Sequence, residues 1–176
     1  MEPIAQFRTA ALPDRGVIQI YDADAYLGDS SALDEAEAKV VAGNGYHLYI
    51  LSLQPAVEVE VVIRVWEAAQ DPIKEAEGCV PVTLESETGV LVVNQFTLGP
   101  AGTMDLPKPG VYDGHVSWTA REAVGAYYGS TIAQGADEEW GPDQFGEAWQ
   151  RCPVTERYIL DLWFVGEPEP VDEDDE

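Results

Sequence analysis

Apolar residues recur with a period of two along most of this chain. Between positions 57 and 66, Val57, Val59, Val61, Ile63 and Val65 alternate with Glu58, Glu60, Val62, Arg64 and Trp66. A strand turns successive side chains to opposite faces, so the run predicts a strand with one aliphatic face buried. The stretch from Cys79 to Trp118 carries the same grammar at greatest length. Val80, Val82 and Leu84 alternate with other residues, Leu91 and Val93 do so again, and Met104 and Leu106 lead into Pro107-Lys108-Pro109-Gly110. From Val111 onward Tyr112, Gly114, Val116 and Trp118 share one face, assigned to the core, while Asp113, His115 and Ser117 share the other. Proline presets φ and glycine admits positive φ, so the chain should reverse tightly between Leu106 and Val111. A final run alternates through Tyr158, Leu160, Leu162 and Phe164.

Taken in order, the pattern predicts strands near 17–24, 46–53, 57–66, 79–84, 89–96, 102–106, 111–119 and 157–165, with a short edge strand around 4–9. Residues 31–42 read two ways. LDEAEAK is helix-prone, yet Lys39 to Ala42 followed by Gly43-Asn44-Gly45 also suits a hairpin; a helical turn to Ala38 and then a strand pair meeting at Asn44 accommodates both. Residues 120–154 show no sustained alternation and read as a long excursion with one or two short helices. Short strands at roughly ten-residue spacing and little helix predict an all-β fold, a single antiparallel β-sandwich with an acidic, aromatic excursion before the last strand. The domain is expected to occupy residues 1–166. Residues 167–176, rich in acids and prolines, should form a disordered tail.

Charge narrows the function. Thirty-three acidic residues against nine basic ones give a net charge of −24, which repels nucleic acid and anionic membranes and attracts basic partners. No stretch of 18 apolar residues exists and the first residues contain no continuous apolar segment, so neither a membrane span nor a signal peptide is expected, and the protein is placed in the cytoplasm. Cys79 and Cys152 are 73 positions apart without ligand-spaced partners, which argues against a zinc site, and in a cytoplasmic protein predicts two reduced, partly buried thiols rather than a disulfide. The two histidines, His47 and His115, fall inside strands and read as surface or sheet-face residues rather than catalytic bases. Asp22, Asp24 and Asp29 fail as a calcium loop: Tyr26 occupies the fifth position, Gly28 comes one place late, and Leu33 stands where the bidentate acid belongs. They read as a solvated strand end. No phosphate loop or nucleophile motif is present, and no cofactor is expected.

The excursion GADEEWGPDQFGEAW supplies the candidate partner-binding residues. Asp137, Glu138, Glu139, Asp143 and Glu147 are interleaved with Trp140, Phe145 and Trp149, with no base among them. Acids steer a basic partner and aromatic anchors dehydrate the contact. The competing reading is that the aromatics pin the excursion to the body while the acids face water.

The strand order itself resembles the competence protein J (ComJ-like) family. The resemblance rests on Val80-Pro81-Val82-Thr83-Leu84, an acidic turn, Val90 to Val93, Met104-Asp105-Leu106-Pro107-Lys108-Pro109-Gly110-Val111-Tyr112 and the late Tyr158-Ile159-Leu160-Asp161 strand, with Leu33-Asp34-Glu35-Ala36 placed ahead of the Gly43 to Tyr46 hairpin. It covers about two-thirds of the chain by alignment of short motifs; the excursion and the tail are longer than the family's pattern. The resemblance implies a small cytoplasmic bacterial protein whose named member inhibits a DNA-entry nuclease, and it assigns no site residue. Three functions follow as expectations. The first is a non-enzymatic acidic inhibitor or immunity-type protein that neutralises a basic partner, a nuclease above all. The second is a generic β-sandwich interaction module whose acidity reflects a high-salt habitat. The third is a hydrolase with an acidic cleft.

Overall fold

In the computed structural model, which describes residues 2–28 and 30–167, ten strands form two five-stranded sheets. The strands are β1 (Ala5–Ala11), β2 (Val17–Asp22), β3 (Val41–Gly43), β4 (His47–Leu51), β5 (Val59–Trp66), β6 (Gly78–Ser86), β7 (Val90–Asn94), β8 (Pro100–Asp105), β9 (Gly110–Thr119) and β10 (Arg157–Gly166). The first sheet has the order β1-β5-β10-β9-β6 and the second β3-β4-β2-β7-β8. Three helices complete the chain: α1 (Ser31–Lys39), α2 (Arg121–Asp137) and α3 (Pro142–Gln150).

The alternating aliphatic residues do what their spacing predicts. Val59, Val61, Ile63 and Val65 from β5, Leu84 from β6, Tyr112 and Val116 from β9 and Tyr158, Leu160 and Leu162 from β10 join Ile18, Ile20, Leu48, Ile50, Leu91, Val93 and Met104 of the second sheet in one buried cluster. Burying a side chain of this size removes it from water at a gain of about 1.5–3 kcal/mol. Contacts tie the sheets at their edges. Thr9 Oγ1 of β1 donates to the Ala101 carbonyl of β8 at 3.2 Å, and the Glu85 amide of β6 donates to the Gly45 carbonyl at 2.7 Å. The outer face of the second sheet is covered by α1, whose Ala32 and Ala36 pack with Val17, Ala42 and Tyr49.

Several expectations change here. Among the described residues strand accounts for 42% and helix, with the 3-10 turn at Asp14–Gly16, for 23%, so the fold is mostly β rather than all-β. The sheets are not purely antiparallel either, because β10 runs parallel to β5 from Arg157↔Glu60 to Trp163↔Trp66. A parallel neighbour needs a long crossover, and here the intervening chain includes β6 to β9 as well as both late helices. The reversal at Pro107 to Pro109 exists, but it is no hairpin: β8 pairs with β7 in one sheet and β9 with β10 and β6 in the other, so the turn carries the chain across the core. The 31–42 segment holds both expected parts, α1 and then β3 paired with β4. Trp118 is half-buried against the core cluster, with its ring close over Gly78. Cys79 is exposed and Cys152 half-buried, and both are free thiols; only the second fits the expected partial burial. The tail expected to be disordered falls, apart from Glu167, outside the described residues.

Candidate functional site

The excursion folds into a helical hairpin. Its first helix, α2, extends for 17 residues, longer than the short helices expected, and buries Val124, Thr131 and Gly135. Arg121 anchors its start, donating from Nε to the Leu51 carbonyl at 2.9 Å. At its end Glu139 adopts φ 56, and the Trp140 amide donates back to the Gly135 carbonyl at 2.8 Å, turning the chain. Pro142 opens α3 where its missing N–H costs nothing, and the Gly141 amide donates to Gln144 Oε1 at 3.0 Å.

The three candidate aromatics hold the hairpin together. Trp140 meets Phe145 edge-on at 5.5 Å, Phe145 stacks on Trp149 at 5.9 Å, and Trp149 stacks on Tyr128 of α2 at 5.1 Å. Gly135 makes room for them: a Cβ there would stand 2.3 Å from the Phe145 ring and 2.9 Å from Trp140. Tyr127 adds a bond from its hydroxyl to the Ala148 carbonyl at 2.5 Å. All three aromatics are half-buried. The candidate acids point the other way: Asp137, Glu138, Glu139, Asp143 and Glu147 are exposed. Glu147 lies 4.0 Å from Arg151, both ends well exposed, a geometry worth little in water. From Glu122 to Gln150 the chain contains no lysine or arginine.

Five buried polar groups were misread or missed in the sequence. Asp22 is no solvated strand end but is 2% exposed. It accepts bonds from Ser86 Oγ, from Thr88 Oγ1 at 2.7 Å, from the Thr88 amide at 3.1 Å and from the Asp24 amide at 2.9 Å. Burial pulls its carboxyl upward, but the Ser86, Asp24 and Thr88 donors outweigh that and hold it below the ordinary carboxylate range. His47 lies buried against Tyr21 and Tyr49. His115 does sit on the outer face of its sheet, but buried, its Nε2 2.9 Å from the Gln70 carbonyl. Beside it Asp161, fully buried, takes a bidentate pair from Arg64 at 2.7 and 3.0 Å and a bond from Trp66 Nε1 at 2.8 Å. Glu156 is also sealed, bonded by Tyr158 and by Gln54 Nε2 at 3.2 Å; burial pushes its carboxyl up. No motif announces these groups, because in most cases a partner that matters lies far away in sequence: Ser86 and Thr88 for Asp22, Gln70 for His115, Arg64 and Trp66 for Asp161, Gln54 for Glu156.

No protein-family model matches the chain, and no curated protein matches it in sequence. Two solved structures are similar. One is a crystal structure of ComJ from Bacillus subtilis, described as an inhibitor of the DNA degrading activity of NucA. It has a TM-score of 0.59 at 12% identity, covering 93% of this chain and 98% of ComJ. The other is crocagin biosynthetic gene J, with a TM-score of 0.54 at 15% identity, covering 95% of this chain and 100% of that one. At these identities the likeness is one of fold: the chain has the architecture of a known nuclease inhibitor.

Proposed function

We propose that this chain is a non-enzymatic β-sandwich protein, with residues 1–166 as its binding domain, that neutralises a basic protein partner, and that the partner is a nuclease. The observation that carries the reading is the hairpin of α2 and α3, which presents Asp137, Glu138, Glu139, Asp143 and Glu147 to solvent without an intervening base, on a fold shared with an inhibitor of a DNA-degrading protein. A nuclease binds a polyanion through lysines and arginines; a rigid carboxylate surface competes for the same cations, and a net charge of −24 draws them in from a distance. The aromatics Trp140, Phe145 and Trp149 act mainly by keeping the hairpin stiff, since their rings are engaged with one another.

The test is inhibition of DNA hydrolysis by a basic nuclease. The chain should slow hydrolysis at low ionic strength, with an inhibition constant that rises steeply with salt, as exposed charges are screened beyond about 8–10 Å at physiological ionic strength. Replacing Glu138 and Glu139 with glutamine should slow association and leave dissociation nearly unchanged. Absence of inhibition at low salt, or inhibition indifferent to salt, removes the charge from the mechanism. The interaction module with habitat-derived acidity would then be the better account.

A further inference from the structure

The end of the molecule opposite the hairpin carries a second acidic surface, and this one is concave. β2 runs from Val17, paired with Leu51, to Asp22, and Tyr21 pairs with His47. Arg121 fixes α2 at the Leu51 end. At the other end a pocket of about 500 Å³ opens between the segment after β2, the turn joining β3 to β4 and the crossing from β6 to β7. Asp22, Asp24, Glu85 and Glu87 line it, together with Tyr26, Asn44, Tyr46 and Ala25, and none of these residues is basic. Its volume falls within the range of pockets that bury a small molecule, about 300–1,000 Å³, ample for a single inserted side chain.

Two features besides charge mark it as a docking surface. Tyr26 is 78% exposed and Tyr46 42%, so the pocket is lined by two large aromatic side chains that reach solvent. Exposed tyrosines that supply contact area at little entropic cost are favoured interface anchors, and their ring faces attract cations. The frame is also set before any partner arrives. Buried Asp22 fastens Ser86 and Thr88, and Asn44 Oδ1 accepts the Tyr46 and His47 amides at 2.9 and 3.0 Å, fixing the turn. A surface already in its bound shape loses less entropy on association.

We infer that this pocket seats a basic segment of the protein partner, an arginine or lysine side chain entering between the tyrosines to meet the carboxylates. The inference rests on the reading of the chain as a binder of a basic protein, and it locates the anchoring contact away from the hairpin, whose aromatics are already engaged. The hairpin then contributes to the long-range field and the pocket to the lifetime of the complex.

A hexa-arginine peptide titrated into the full chain at an ionic strength of about 0.15 M, where the screening length is about 8 Å, followed by amide NMR and calorimetry, tests it. Shifts should concentrate at residues 22–27, 44–47 and 85–88. The double variant Asp24→Asn/Glu87→Gln alters two exposed side chains and should weaken binding on the order of tenfold. Tyr26→Ser should weaken it about two- to fivefold, and an unchanged thermal midpoint shows that each variant folds. Glu138→Gln/Glu139→Gln, which removes the same charge at the other end, should change affinity less than about twofold, as expected beyond a Debye length. Shifts centred on 137–149, or equal weakening by the two double variants, overturn the inference. The nuclease assay separates the two proposals. If the hairpin variant alone relieves inhibition, the pocket falls and the inhibitor reading stands. If hexa-arginine seats in the pocket but no nuclease is inhibited, the inhibitor reading falls and the pocket stands.

Discussion

Glu156 shows how far a single residue can depart from what its surroundings in the sequence suggest. It stands among exposed residues, directly before the last strand, yet its side chain is sealed between Tyr158 and Gln54. Burial disfavours its ionised form and raises its pKa from an ordinary 4.5. A carboxyl whose folded pKa lies above its unfolded one adds stability that is complete below the unfolded value and is lost as pH rises through the folded one. Urea midpoints of the wild type should therefore rise as pH falls from neutral toward 4.5. The variant Glu156→Gln, neutral throughout, should lose that rise and be the more stable protein at neutral pH. A rise of equal size in both proteins would assign it to relief of general charge repulsion instead. Asp22 has the opposite sign: its pKa is lowered from 3.8, so its contribution is present above that value and lost in stronger acid. Neither role was legible in the sequence. For Asp22 the reading stopped at a failed calcium loop, because the donors that matter, Ser86 and Thr88, lie 64 and 66 positions away.

Among the elements, the strands and the helical turn at α1 were legible, but the length of α2 was not, for a physical reason. β5, β9 and β10 each bury one alternate set of aliphatic or aromatic side chains in the core, so their period of two survives in the sequence. α2 buries only Val124, Thr131 and Gly135, too narrow and too small a stripe to signal a helix of 17 residues. Its pairing with α3 depends instead on the absence of a side chain at Gly135. Gly135→Val should push Phe145 and Trp140 aside, since overpacking of this kind costs about 1–3 kcal/mol where neighbours cannot yield. The hairpin has somewhere to go. No residue of α3 is fully buried and none belongs to the core cluster, so the strain should release locally. Tryptophan emission should shift to the red and amides of residues 140–150 should exchange faster, while the urea midpoint of the sheets moves little. Unchanged emission and exchange would show that the aromatics do not hold the hairpin. The parallel pairing of β10 with β5 left no trace in either strand, because period-two alternation is the same whichever way a neighbour runs.

For the whole molecule, nine basic residues cannot neutralise 33 acids, and two of the bases converge on a single carboxylate: Arg8 and Arg157 both approach Glu60, at 3.3 and 3.1 Å. Most carboxylates therefore face solvent and one another, and folding brings them closer together. Self-repulsion of this kind opposes the compact state and is relieved by salt, as the screening length falls from about 30 Å at 0.01 M to about 8 Å at 0.15 M. Thermal midpoints should rise over that range, by about 2–4 °C for each kcal/mol relieved in a chain of this size. Association with a basic partner should respond in the opposite direction, because the same screening weakens attraction between the acidic surface and the partner's cations. Measuring both responses on one preparation separates the accounts of the charge. If stability climbs with salt while affinity for a basic nuclease falls, the acidity is used in recognition and tolerated in folding. If stability keeps climbing into molar salt and affinity does not change, the carboxylates serve solubility in a saline interior, and neither the hairpin nor the pocket owes its function to charge.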